Sequence, residues 1–148
     1  MKKQAAMAFM LLSLMVTLAV TSVTAQSRSQ FMRIRIPFQF AIREKTFPPG
    51  EYIVRRRNSD RPEMLLISSV DGGSVAYVLT NNVQSKTRQS ESKLVFHQYE
   101  EQYFLSQVWQ DGDSGREVPK SARERAADRE LVKNTVERQT VTLITQRR

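Results

Sequence analysis

From Met32 to Ile42 every even position is apolar: Met32, Ile34, Ile36, Phe38, Phe40 and Ile42. The odd positions carry Arg33, Arg35, Gln39 and Arg43. Successive side chains of a strand point to opposite faces, so this run predicts one buried face and one wet one. Pro37 interrupts it without an N–H to give a ladder. It predicts an edge position, a bulge or a break into two short strands.

Similar patterning continues downstream. Glu51 to Arg57 reads as a strand with Tyr52 and Val54 on one face. Met64 to Ser69, Val75 to Thr80, Leu94 to Tyr99 and Tyr103 to Trp109 read as further strands. Turn chemistry separates them. Phe47-Pro48-Pro49-Gly50 predicts a type II turn with Gly50 at positive φ, and Asn58 to Pro62 is a turn cluster. Asp71-Gly72 predicts a hairpin. Asn81 to Ser92 is polar and aperiodic, and reads as a long loop. The expected fold is mainly β, a small antiparallel sandwich or barrel of about six or seven strands with one C-terminal helix. The β domain spans 31–109, with a loop over 110–120 and a helix and tail over 121–148.

Ser121-Ala122-Arg123-Glu124 is a capping box, with the serine accepting from the Glu124 N–H and the carboxylate reaching back. It opens a helix from about Ala122 to Val136. Ala126, Ala127, Leu131, Val132 and Val136 make no single stripe, so the segment reads as one that orders against a partner. Removing everything after Lys120 is then expected to leave most of the thermal stability. Thr140 to Thr145 is β-prone, a last strand or a frayed tail.

The chain of 148 residues begins with Lys2 and Lys3, an apolar run from about Ala5 to Val20, and Val23-Thr24-Ala25. These are the three parts of a secretory leader, which places residues 1–25 in a signal peptide cleaved after Ala25 and residues 26–30 in a flexible lead-in. The expected location is exported, periplasmic or extracellular, with membrane contact only through the leader before cleavage. The chain has no cysteine, which excludes disulfides, thiolate metal sites and a thiol nucleophile.

Few residues carry a signal for chemistry. His97 is the only histidine. It lies in a strand pattern on the face of Val95 and Tyr99, and no nucleophile-elbow motif accompanies it. A hydrolase would need it in a cleft beside a serine and a carboxylate. Asp111, Asp113 and Glu117 fail the EF-hand spacing, since Gly115 and Arg116 fall where a ligand and a glycine are required. Asp71-Gly72-Gly73 is a turn rather than a phosphate cradle. Glu100-Glu101 sits at a hairpin tip, where carboxylates are solvated. No catalytic residue, metal ligand or cofactor site is assigned.

The net charge is +8. Arg55, Arg56, Arg57 and Arg61 cluster around one turn and form a candidate anion-binding site, with Arg33 and Arg35 on a shared strand face. The alternative is a solvated, charge-protected edge. Phe38, Phe40, Phe96, Tyr103, Phe104 and Trp109 are the expected core aromatics.

Ile36-Pro37-Phe38-Gln39-Phe40 followed by Phe47-Pro48-Pro49-Gly50-Glu51-Tyr52-Ile53-Val54 resembles a pattern of short exported bacterial proteins of uncharacterised function. Their usual form is I-P-F-x-F, then L-P-A-G-x-Y-x-V; here Phe47 replaces the leucine and Pro49 the alanine. Ser92 to Phe96, Tyr103 to Leu105 and Gly115 to Ser121 are similar to the later half of that family. The resemblance implies export and a β-rich domain, and carries no activity with it.

The expected function is that of an exported, non-enzymatic interaction module. Its partner would be a protein or an anionic envelope component, and not nucleic acid. The alternatives are a carrier holding an apolar or anionic small molecule in a barrel interior lined by the even positions Ile34 to Ile42, and a hydrolytic enzyme.

Overall fold

The computed structural model describes residues 31–56, 63–110 and 112–145. The expected leader, the lead-in, Arg57, Arg61 and the turn cluster around them, and Asp111 lie outside the described residues. Eleven strands and one helix are described: β1 Phe31–Ile36, β2 Phe40–Ile42, β3 Lys45–Phe47, β4 Gly50–Arg56, β5 Met64–Ser69, β6 Val75–Leu79, β7 Asn81–Gln89, β8 Lys93–Tyr99, β9 Gln102–Trp109, β10 Gly112–Glu117, α1 Ala122–Lys133 and β11 Gln139–Ile144. Two sheets face each other as a sandwich, and they do not close into a barrel. The first has the order β1-β4-β5-β6; the second has β11-β8-β9-β10-β7, with β2 against β9 and β3 against β2.

Pro37 breaks the first apolar run in two. β1 ends at Ile36, paired with Gly50 in the first sheet, and β2 begins at Phe40, parallel to Tyr103 in the second. The break therefore carries the chain from one layer to the other. Met32, Ile34 and Ile36 of β1 and Phe40 and Ile42 of β2 enter one shared core. That core is filled, so the even positions that would have lined a barrel interior pack against each other instead.

Aromatic side chains dominate it. The Phe40 ring lies 5.5 Å from Phe47, 5.1 Å from Tyr52 and 5.6 Å from Phe96. Phe38 stacks on Tyr103 at 4.1 Å. The Tyr52 hydroxyl donates to the Pro48 carbonyl at 2.6 Å, which ties the β3–β4 crossing to the core. Burial, and secondarily the charge of Asp71, raises this phenol above its ordinary pKa. Gly50 starts β4 as an ordinary strand residue and is not among the positive-φ positions, so the expected type II turn is not formed there. Gly72, in the β5–β6 hairpin, does take a positive φ of 79°.

Two segments expected as loops are strands. Asn81–Gln89 forms β7 and pairs with β10, which itself comes from the Asp- and Gly-rich stretch after Trp109. Gly115 permits this by a close approach: a Cβ there would sit 2.6 Å from the Trp109 ring. The third difference is the C-terminal part. β11 pairs with β8 over six residues, and α1 buries Leu131 in a cluster with Ala41, Tyr99 and Phe104. Residues 121–145 are thus part of the packed domain, which reverses the expectation that they order only against a partner.

Candidate functional site

The outward face of the first sheet can be read off its register. Phe31, Arg55, Leu66 and Tyr77 form one row across β1, β4, β5 and β6. Arg33, Ile53, Ser68 and Val75 form the next. Met64 lies opposite Leu79, and Arg35 opposite Glu51. The face therefore has an apolar half on β5 and β6 and an arginine-bearing half on β1 and β4. Sandwich strands ordinarily turn polar residues outward. Here Phe31 is 54% exposed, Val75 46%, Tyr77 58% and Leu79 57%. Arg33 is held by Glu51, whose carboxylate lies 2.8 Å from its Nε. Beside this face, where β1 meets β11, a cleft of about 990 Å³ is lined by Phe31, Arg33, Arg35 and Ile144, among others.

The arginine cluster expected from sequence is divided by strand alternation. Arg55 is exposed on the outward face, and Arg56 is half-buried. Arg57 and Arg61 lie outside the described residues.

The second sheet carries a different arrangement on its outward side, under α1. The His97 Nδ1 is 2.8 Å from Glu124 Oε1, and the Ser106 hydroxyl is 3.0 Å from His97 Nε2. With Glu124 ionised, Nδ1 carries the ring proton and Nε2 accepts from Ser106. The Tyr99 hydroxyl donates to the same Oε1 at 3.2 Å. Burial holds the Tyr99 phenol far above its ordinary pKa; Arg138 opposes this, and the Glu124 and Asp128 carboxylates add to it. Ser121 accepts from the Glu124 N–H at 3.0 Å, as a capping box requires. The Glu124 carboxylate, though, is engaged by His97 and Tyr99 across the helix–sheet interface.

Ser106 occupies this place because of a bulge. Val95 pairs with Gln107 and Phe96 with Leu105, so Ser106 is the extra residue between them. The order serine, histidine, carboxylate is that of a hydrolytic triad. Ser106 is only 3% exposed and Glu124 likewise 3%. Neither the cleft beside β1 nor a smaller one of about 260 Å³ near β2 and Arg123 is lined by His97 or Ser106. A nucleophile must meet its substrate, whereas a hydrogen-bonded network under a helix fastens that helix to the sheet. The geometry fits the second role.

Sequence reasoning placed His97 on the right face and could not supply Ser106 or Glu124. Ser106 depends on a bulge, and Glu124 lies 27 positions away in the chain. Glu100 and Glu101 sit at the β8–β9 turn, exposed as expected. Glu117 is exposed on β10. The described residues contain no group of three or more metal-ligating side chains that could hold an ion. Comparisons with protein-family models, curated proteins and solved structures gave no match.

Proposed function

We propose that the protein is an exported, non-enzymatic interaction module that docks through the outward face of its first sheet onto an anionic lipid surface. The observation that carries this reading is the exposed apolar half-face of Val75, Tyr77 and Leu79 beside the arginine rows of β1 and β4. Four strands spaced about 4.8 Å apart make a flat platform roughly 15–20 Å wide, which suits a flat partner better than a helix that needs a groove. Apolar side chains at headgroup depth with cations beside them are the chemistry of peripheral membrane binding, so this reading adds a membrane contact of the domain itself to the one expected through the leader alone. The secretory leader and the resemblance to short exported bacterial proteins support an envelope location. Without the leader, which holds two lysines and no acid, the chain keeps 21 basic against 15 acidic residues, and this net charge of +6 favours an anionic partner.

Co-sedimentation with vesicles tests this. Vesicles of phosphatidylglycerol and phosphatidylcholine should retain the protein, and vesicles of phosphatidylcholine alone should not. Retention should fall with added salt. Tyr77→Ser with Leu79→Ser, and separately Arg33→Gln with Arg35→Gln, should each reduce it. Binding that ignores both pairs of substitutions would show that this face is not the docking surface.

A carrier reading for an apolar ligand would use the cleft between β1 and β11 rather than the packed core. The hydrolase reading rests on the Ser106–His97–Glu124 geometry. A fluorophosphonate probe that labels Ser106 in the folded protein, and fails to label His97→Ala, would establish it against the present proposal.

A further inference from the structure

β4 sends Arg56 in the opposite direction from Arg55. Tyr52 and Val54 are fully buried, and Arg56 follows on the same inward alternation. Its neighbour across the sheet is Leu65, which pairs with Val78, and both belong to the core. In the other layer Val118 is part of the same core, and Arg116, two positions earlier, shares its face beside the core residue Val108. Two guanidiniums therefore enter the space between the sheets from opposite layers.

The Nε atoms of Arg56 and Arg116 are both buried without a hydrogen bond. Among the described residues neither arginine is in an ion pair. Burial, then the charge of Arg56, pushes the Arg116 guanidinium below its ordinary pKa, while Glu63 pulls the other way. Two like charges near enough to act on each other in a half-buried space, each with its Nε–H unmet, are a cost that native structures seldom leave uncompensated.

We propose that Arg56 and Arg116 form a binding site for a small tetrahedral oxyanion, phosphate or a phosphomonoester, between the two sheets. Each guanidinium offers a planar fork of N–H donors, and a tetrahedral dianion has oxygens enough for both. Its charge offsets the two cations directly. Among the described residues Glu63 is the carboxylate whose charge acts on Arg116, and an anion at the site has to outcompete it. The site is independent of the outward face, because its residues point the other way.

The test uses the full chain, dialysed free of phosphate and sulfate. Titration calorimetry and thermal melting are run with sodium phosphate, and with sodium chloride at matched ionic strength. Phosphate should bind with one site per chain and raise the melting temperature, and chloride should do neither. Arg56→Gln and Arg116→Gln should each weaken binding by about tenfold or more, the loss of one charged hydrogen-bond donor set. Arg35→Gln, on the outward face, should leave it intact. Arg116→Met in phosphate-free buffer should melt no lower than the parent, since it removes a like-charge contact. That result keeps loss of binding from being mistaken for misfolding. Phosphate stabilisation that is absent, that chloride reproduces, or that persists in the double Gln variant would overturn the proposal. Inorganic phosphate that displaces the protein from anionic vesicles, in the parent but not in Arg116→Gln, would identify a lipid headgroup as the source of the phosphate; binding without such displacement would identify a free phosphate compound.

Discussion

On the outward side of the second sheet, His97, Tyr99, Phe104 and Ser106 lie beneath α1, and the helix returns a carboxylate and a leucine to meet them. On the outward side of the first sheet, Phe31, Val75, Tyr77 and Leu79 stand roughly half exposed, with arginines between them, and among the described residues no helix lies above them. The difference is one of where the cover comes from. A face covered by its own chain can include polar groups, because the partners arrive at fixed positions and every lone pair can be met. Exposed apolar groups clustered beyond scattered single residues are the kind of surface that interaction sites present.

This comparison can be broken most severely by ending the chain after Lys120. That removes α1 and β11, opens Ala41, Tyr99 and Phe104 to water, and leaves β8 without its outer neighbour. Melting should drop by about 15 °C or lose its cooperative transition altogether. A change of only a few degrees would mean that the second sheet does not need its cover.

Smaller cuts to the same cover should cost less. Leu131→Ala should destabilise by about 2–4 kcal/mol, measured by urea unfolding, through the cavity it leaves. Glu124→Ala should cost about 2–3 kcal/mol by stranding the His97 and Tyr99 donors. In a double-mutant cycle with His97→Ala the two losses should add to less than their sum. Full additivity would disprove the coupling of the helix to the sheet through this pair.

The first sheet should respond in the opposite way. Tyr77→Ser with Leu79→Ser should shift stability by no more than about 0.5 kcal/mol for each position while vesicle binding falls. A large stability loss there would show that the face is already covered.

The smallest expected effect is at Lys120 and Asp128, which fasten the start of α1 at 2.7 Å. The hydrogen bond from Lys120 holds the Asp128 carboxyl below its ordinary pKa. The unfolded chain therefore takes up this proton at higher pH than the folded one, so the contribution is complete above about pH 5 and is lost as the pH falls through the folded value. The pair is partly exposed and is worth at most about 1 kcal/mol. Lys120→Met should lower stability by that amount at neutral pH and leave it unchanged in strong acid, which flattens the acid limb of the stability–pH curve.

Strands that bury one face were legible because burial writes an alternation into the sequence: Met32, Ile34 and Ile36 are inward in β1, as the pattern requires. β7 was not legible. Its residues are almost all polar and mostly exposed, and it is held by backbone pairing with β10, which leaves no mark on side-chain type. The docking of α1 escaped for a related reason. Its inward positions are Glu124, Ala127 and Leu131, a helical spacing in which one member is charged. Only the presence of His97 and Tyr99 opposite turns that glutamate into a core residue.

The sequence alone determined that the chain is β-rich, where Pro37 interrupts the first run, that Phe40 and Phe96 enter the core and where the helix starts. Each of these follows from local covalent geometry or from the partition of apolar side chains away from water. It did not mark Phe47 and Tyr52 as core aromatics or place Phe104 under the helix. Tertiary structure decided that the sheets form a sandwich with a filled core, that Ser106 and Glu124 meet at His97, that Arg55 and Arg56 serve opposite faces, and that Arg116 joins Arg56. Those outcomes depend on which strands become neighbours and on a single bulge. Neither is recorded in any one segment, because each is a property of segments brought together.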